Sequence, residues 1–272
     1  MPGETAIAMI GGGQMALALA DGFCRAGLVD PAAIVVSEPH PAARQRFTDR
    51  LPAVRFASGR EAAAAAEIVF LAVKPQQSAE ACAEIAGALR PEAVLVSIVA
   101  GLPLASLERL AGTDRVVRVM PNTPCLVGKG VSAVCRTKGV GDEAMQRVMA
   151  LLGAVGTVHS VDESLLDAVT GLSGSGPGYV AMVVEALAAG GVQAGLPEAL
   201  ATRLAVETLA GTAVLMERTG EPPALIRERV CSPGGTTLAG LAAMERGGVA
   251  RGIAAGVVAA RDRARELGSR ER

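Results

Sequence analysis

Apolar residues fall into two regimes along the chain. Up to about residue 160, short and nearly unbroken apolar runs alternate with amphipathic stretches; from Asp162 onward the strand signals stop and the pattern is helical almost to the end. The runs at 6–10, 33–37, 67–73, 93–99 and 115–120 predict strands, as does the glycine-flanked stretch 127–134. Such runs are what strands buried on both faces look like, which calls for helices on either side of the sheet. Residues 142–152 predict a helix and 156–160 a last edge strand. The expected architecture is α/β: a doubly wound sheet over residues 1–160, then an all-helical domain over 161–272.

The first run leads into Gly11-Gly12-Gly13-Gln14-Met15-Ala16 and then a periodic helical segment. Gly11 and Gly13 take the first two places of G-x-G-x-x-G/A and Ala16 the third, with a strand before and a helix after. A turn of this kind lays its backbone N–H groups against a pyrophosphate. The sheet is therefore expected to be Rossmann-like, with a dinucleotide cofactor touching Ile10, Gly11, Gly12, Gly13, Gln14 and Met15. Ser37 and Glu38 end the second run, where a side chain reads the adenosine ribose. An acid at 38 suits the free 2′-hydroxyl of NADH, whereas Ser37 and Arg44 suit the 2′-phosphate of NADPH, so the residues argue both ways. The plain alternative for Glu38 is a solvated loop acid.

Open parallel sheets bind ligands beyond the carboxyl ends of their strands. That rule nominates Ala72, Val73, Lys74 and Pro75 after the third apolar run, and Val99 and Ala100 after the fourth. Lys74 is equally at home as a solvated turn residue. Between Pro121 and Pro124, a stiff loop holds Asn122 and Thr123 out from the sheet, as a cofactor contact or as a mere turn.

In the second half, residues 163–170 read as one helix closing on Gly171-Leu-Ser-Gly-Ser-Gly-Pro-Gly-Tyr179. Pro177, Pro197 and the pair Pro222-Pro223 each open a further helix, Thr236 opens another, and 249–267 is the last. Several are apolar on more than one face and rich in Ala and Gly, so they must be buried, yet they carry too few bulky side chains for a core of their own. An obligate dimer, at least, is expected. In Ser232-Pro-Gly-Gly-Thr-Thr237, three hydroxyls and two glycines gather where a helix begins. An ordinary N-cap needs one of each, so the surplus points to a small-anion site of carboxylate size. Residues 174–177, Gly-Ser-Gly-Pro, repeat the arrangement.

Composition narrows the chemistry. A net charge of −1, four Phe, one Tyr and no Trp leave no basic patch or stacking platform for nucleic acid. With only His40 and His159 and no CxxC pair, no metal site is expected. The five widely spaced cysteines fit free thiols in a reducing compartment. Glu4 and the absence of a basic leader argue against a secretory signal, and apolar runs are broken before about 18 residues, so a soluble, cytoplasmic protein without membrane contact is expected.

Gly-Leu-Ser-Gly-Ser-Gly-Pro-Gly-Tyr at 171–179 and Ser-Pro-Gly-Gly-Thr-Thr at 232–237, joined to Gly-Gly-Gly-Gln-Met-Ala at 11–16, Ala-Val-Lys-Pro-Gln at 72–76 and Met-Pro-Asn-Thr-Pro at 120–124, resemble pyrroline-5-carboxylate reductase over nearly the whole chain. The resemblance implies reduction of the C=N bond of 1-pyrroline-5-carboxylate by NAD(P)H, with NADPH expected and NADH open, as the last step of proline synthesis. It implies dimers that often assemble into a ring of five, a decamer. It puts the substrate carboxylate on Gly235, Thr236 and Thr237, makes Glu163 a substrate contact, and sets Thr170 and Ser175 beside the ring. Thr170 is the candidate catalytic group, donating to the ring nitrogen, and the nicotinamide is expected along Val73, Lys74, Ala100 and Asn122. Arg229 departs from the Asn or Thr common in relatives. The chemistry agrees: an iminium is already protonated, so orientation suffices and no side-chain acid is needed.

Two alternatives stay open at this point. A two-domain β-hydroxy-acid dehydrogenase would place a Lys in the inter-domain helix, but no Lys follows residue 138. A dinucleotide-binding sensor or scaffold would bind cofactor without turning over an imino acid.

Overall fold

The computed structural model describes residues 6–269; Glu4 lies outside them. These residues form two compact units: the chain up to Ser175 together with the part from Ala259 onward, and Gly176–Val258 between them.

The first unit is built on one sheet of β1 (Ile7–Ile10), β2 (Ile34–Ser37), β3 (Arg55–Phe56), β4 (Ile68–Leu71), β5 (Val94–Ser97), β6 (Val116–Met120), β7 (Gly130–Arg136) and β8 (Gly156–Ser160), in the order β3-β2-β1-β4-β5-β6-β7-β8. Strands β1 to β6 are mutually parallel, which brings the carboxyl ends of β1, β4, β5 and β6 to one edge. The β6–β7 pair is antiparallel, and β8 runs parallel to β7 at the edge. This α/β architecture with its helical continuation is the one expected from the apolar runs.

Alternation along β4 shows how the sheet is held. Ile68 and Phe70 join the core on one face, where Phe70 meets Phe23 with ring centroids 5.5 Å apart, while Val69 and Leu71 join the core on the other. Each such side chain, fully buried, contributes about 1.5–3 kcal/mol. The faces are covered by α1 (Gln14–Arg25), α2 (Pro41–Arg50), α3 (Gly59–Ala65), α4 (Ser78–Ile85), α5 (Leu104–Ala111) and α6 (Asp142–Gly153). Helix α2 left little apolar trace in the sequence because it buries only Ala43 and Phe47.

One expectation fails here. Residues 163–170 are not a single helix: Glu163–Leu165 is a 3-10 turn, α7 (Leu166–Val169) follows, and Thr170–Gly174 is a π turn closed by Ser175 N–H on the Thr170 carbonyl at 2.9 Å. Gly171, Gly174 and the donorless Pro177 weaken a regular ladder, and the Thr170 and Ser173 hydroxyls bond back to the carbonyls of Leu166 and Val169.

The second unit holds α8 (Gly176–Gln193), α9 (Glu198–Thr219), α10 (Pro223–Arg229), α11 (Thr236–Arg246) and the start of α12 (Val249–Ser269). Helices α8 and α9 approach closely through small residues, with Gly191 against Ala201. Their larger apolar groups, among them Met182, Leu187, Leu200, Leu204 and Leu215, are exposed in the single chain. Helix α9 is long and apolar enough to cross a membrane by length and composition. Residues of this kind, bare along whole helices, call for another apolar surface.

Candidate functional site

The glycine turn between β1 and α1 is cut to receive a ligand. Gly11 has φ +98°, and a Cβ there would stand 2.8 Å from the Ala72 carbonyl oxygen, so only glycine lets the turn lie against the end of β4. Gly13 caps α1 without a side-chain hydrogen bond, no acid occupies the first turn, and nothing stands within 4 Å of a Cβ built on it. The opening N–H groups of a twelve-residue helix are thus left facing open space, an arrangement that suits a pyrophosphate.

Around this turn lies a cavity of about 640 Å³. Of the residues expected to touch a cofactor, Ile10, Gly11, Gly13, Ser37, Glu38, Ala72, Val73 and Lys74 line it. Gly12 stands behind Glu38, Gln14 and Met15 belong to the first turn of α1, Pro75 opens the 3-10 turn after β4, and Ala100 follows β5. Val99 is 3% exposed and packed into the sheet's core, so its side chain serves the fold. His40, Arg46, Gln77, Glu80 and Glu84 also line the cavity and were not singled out in the sequence. His40 is the N-cap of α2 and Arg46 lies midway along it; nitrogen-bearing side chains on the helix after β2 were the available signal.

Glu38 does not face the cavity as a free acid. It is 7% exposed, with Oε2 accepting from Gly12 N–H and Oε1 from His40 N–H, both at 2.8 Å. Arg44, the sequence candidate for a 2′-phosphate, donates through Nε to the Glu38 carbonyl and lies over the Phe56 ring at 5.4 Å. Glu38 and Arg44 thus hold the β2–α2 turn together, with Glu38 still bordering the cavity and both Nη groups of Arg44 outside the bond to the Glu38 carbonyl.

Glu163 is also engaged. Its Oε1 accepts from Leu104 N–H at 2.7 Å and from Arg118 at 3.1 Å, and Arg118, 6% exposed, reaches Asp167 at 3.7 Å. The carboxylate expected to meet substrate here pins the start of α5. Asn122 is 8% exposed, and its amide bridges Val131 N–H (2.9 Å) and the Ser173 carbonyl (3.1 Å). Thr170 gives its hydroxyl hydrogen to the Leu166 carbonyl at 2.8 Å, so it offers lone pairs to a ligand, not the donor expected of it. Ser175 follows the π turn and precedes α8 directly.

In the second unit, Pro233-Gly234-Gly235 turns into α11 with Gly234 at φ +69° and Gly235 as N-cap. No side chain caps the helix; Gly235 N–H bonds to the Ser232 carbonyl at 2.9 Å, and a Cβ on Gly235 would overlap Ser232 Oγ. The surplus hydroxyls are therefore not consumed by capping. Arg229 pairs with Glu221 at 2.6 Å, and Tyr179 donates to the Gly256 carbonyl at 3.2 Å, a packing role.

Burial raises the thiols of Cys24 and Cys135 to about 11, helped by Asp21 and Asp30 for the first and Glu163 for the second, and also raises Cys125. Among the described residues no group of three His, Cys, Asp or Glu is placed to hold a metal ion.

Residues 163–267 match the family described as pyrroline-5-carboxylate reductase dimerisation, and residues 6–101 that described as NADP oxidoreductase, coenzyme F420-dependent. The pyrroline-5-carboxylate reductase of Synechocystis is 44% identical over 97% of this chain and 98% of its own. That of Arabidopsis thaliana is 40% identical over 96% and 95%. The crystal structure of the Plasmodium falciparum pyrroline carboxylate reductase with NADP bound has a TM-score of 0.88 at 29% identity, covering 97% of this chain and 98% of that one.

Proposed function

Since the chain belongs to the pyrroline-5-carboxylate reductase family, we infer that it reduces the C=N bond of 1-pyrroline-5-carboxylate to give L-proline, with NAD(P)H as cofactor. The observation that carries this is a match running end to end, with the glycine turn of the cofactor cavity intact within it. Gly11, Gly13 and the first turn of α1 would hold the pyrophosphate, and Ala72, Val73, Lys74, Ala100 and the Asn122 backbone would flank the nicotinamide. When bound, the reduced nicotinamide supplies the hydride.

What remains for the protein is orientation. The helix start at Gly235, Thr236 and Thr237 is assigned to the substrate carboxylate, supported by its uncapped N–H groups and surplus hydroxyls. Thr170 accepts from the N–H of a protonated ring, which matches an iminium and needs no side-chain acid. Ser175 is kept as a pocket residue. The assigned division of labour is cofactor binding by residues 1–160 and substrate binding with self-association by 161–272.

NADPH is the preferred cofactor in this reading. Glu38 is held by the backbone N–H groups of Gly12 and His40, and Ser37 and Arg46 line the cavity beside it, a hydroxyl and a guanidinium suited to a 2′-phosphate. The dimerisation family match and the bare apolar helices support a dimer, and the decamer is assigned by the family resemblance. A cytoplasmic location, without nucleic-acid or membrane partners, fits the composition.

The test is oxidation of NADPH and NADH, in parallel, with 1-pyrroline-5-carboxylate. Turnover with a higher kcat/KM for NADPH is expected. Cofactor binding without turnover would return the sensor reading, and a preference for NADH would overturn the assignment at the ribose end.

A further inference from the structure

Asparagine at the start of a short helix ordinarily caps it, but Asn122 does not. It precedes the 3-10 turn Thr123–Val127 with no side-chain cap bond, and its amide reaches 51 residues along the chain to the Ser173 carbonyl. The reason lies in what Ser173 lacks. In a regular helix its carbonyl would accept from the residue four places on, which is Pro177 and carries no N–H. Asn122 Nδ2 supplies the missing donor, while its Oδ1 takes Val131 N–H at the start of β7.

A second contact from the same strand end falls on the next residue. A Cβ on Gly174 would overlap the Met120 methyl, so Met120 and Asn122, alternate residues on the extended chain leaving β6, bear on Gly174 and Ser173 in turn. The π turn that carries Thr170 and leads to Ser175 is thereby fixed to the carboxyl end of β6, and through Val131 to β7.

We propose that Asn122 is a positioning residue for the reduction: it sets the Thr170–Ser175 segment against the end of β6, and does not itself bind ligand through its side chain. The proposal rests on the reading of Thr170 and Ser175 as substrate-side residues. Misplacing a substrate-holding segment by a fraction of its own width loosens the reacting geometry without touching the affinity of a cofactor held by backbone groups.

Asn122→Asp keeps the acceptor for Val131 N–H but sets a carboxylate oxygen against the Ser173 carbonyl. In this variant kcat for 1-pyrroline-5-carboxylate falls by about tenfold to a hundredfold, while the NADPH Kd from fluorescence titration stays within about twofold. Because a protonated carboxyl regains an O–H donor, the ratio of variant to parent kcat climbs again between about pH 8 and about pH 6. Gly174→Ala, which displaces the same turn from the Met120 side, gives the same split of kcat from Kd and serves if Asn122→Asp does not fold. A weakened NADPH Kd with unchanged kcat would make Asn122 a cofactor ligand and overturn the proposal, as would unchanged kinetics. Thr170→Val separates the two levels: if it leaves kcat and KM intact, the substrate-side reading fails and the positioning role falls with it, whereas a defect there with normal Asn122→Asp kinetics sinks the positioning role alone.

Discussion

Gly12 and Glu38 are locked together at the mouth of the cofactor cavity: the Gly12 N–H bonds to Glu38 Oε2 at 2.8 Å, and a Cβ on Gly12 would come within 2.9 Å of the Glu38 side chain. Each carboxylate oxygen accepts one backbone N–H, which fixes the acid's orientation in the turn and leaves each oxygen one further lone pair. Replacing Glu38 with Gln leaves one buried N–H without an acceptor and costs about 1–3 kcal/mol in urea unfolding. The ratio of kcat/KM for NADPH to that for NADH is expected to stay unchanged; a marked shift would return Glu38 to the ribose.

Variants of Arg46 and Arg44 test the proposed ribose end. Arg46→Ala lowers kcat/KM with NADPH by about fivefold to tenfold, the worth of an exposed charge-assisted contact, and leaves NADH nearly alone. Arg44→Ala removes the bond to the Glu38 carbonyl and the contact over Phe56, so it lowers the melting temperature and affects both cofactors alike.

Arg118 is the buried centre of an ion-pair group with Glu163 and Asp167. Arg118→Met leaves Glu163 on the Leu104 N–H and Asp167 on the more distant Arg265, and destabilises the fold by about 3 kcal/mol, the low end for breaking a buried pair because the acids are partly in water and keep a second partner. Chemical denaturation with the midpoint followed by circular dichroism reads this directly.

Thr237→Ala tests the carboxylate assignment. Loss of one donor to a charged group raises the KM for 1-pyrroline-5-carboxylate by about tenfold, with the NADPH Kd unaltered. An unchanged KM removes Thr237 from the substrate site.

The sheet was legible because its strands, buried on both faces, write continuous apolar runs. Strand direction is not written that way, so the reversal at β7 had no trace in the pattern. The glycine turn was legible for the same reason it works, since closeness to Ala72 forbids a side chain. Glu38 was ambiguous because an acid directly after a strand end reads identically whether it turns to a sugar or to a glycine N–H. The structural partners of Glu163 and Asn122 were illegible for a related reason: Leu104, Arg118 and Ser173 lie 45 to 59 residues away. Polar satisfaction over such distances is settled by packing.

The thiols set an alkaline limit. Cys24 and Cys135 are raised to about 11, first by burial, whereas in the unfolded chain they ionise near the ordinary value of about 8.5. Below that value both states hold the proton and stability is level; between it and about 11 the unfolded chain loses protons first, so stability falls as pH rises. Melting temperatures should therefore decline from about pH 8.5 upward, and Cys24→Ala with Cys135→Ala should flatten the decline.

Helix α12 leaves the second unit and finishes in the first, where Gly268 packs so tightly on Gly101 that a Cβ on either would press on the other's backbone. In connectivity the helical unit is thus a long insertion into the cofactor unit, not a tail behind it. A nascent chain that has emerged as far as the Pro-Gly-Gly turn already carries the whole glycine turn and sheet, yet lacks the piece that seats against Gly101. Folding in order of synthesis cannot complete the first unit before the second. A chain cut short before α12 loses the residues that seat against Gly101, and with them part of its first unit.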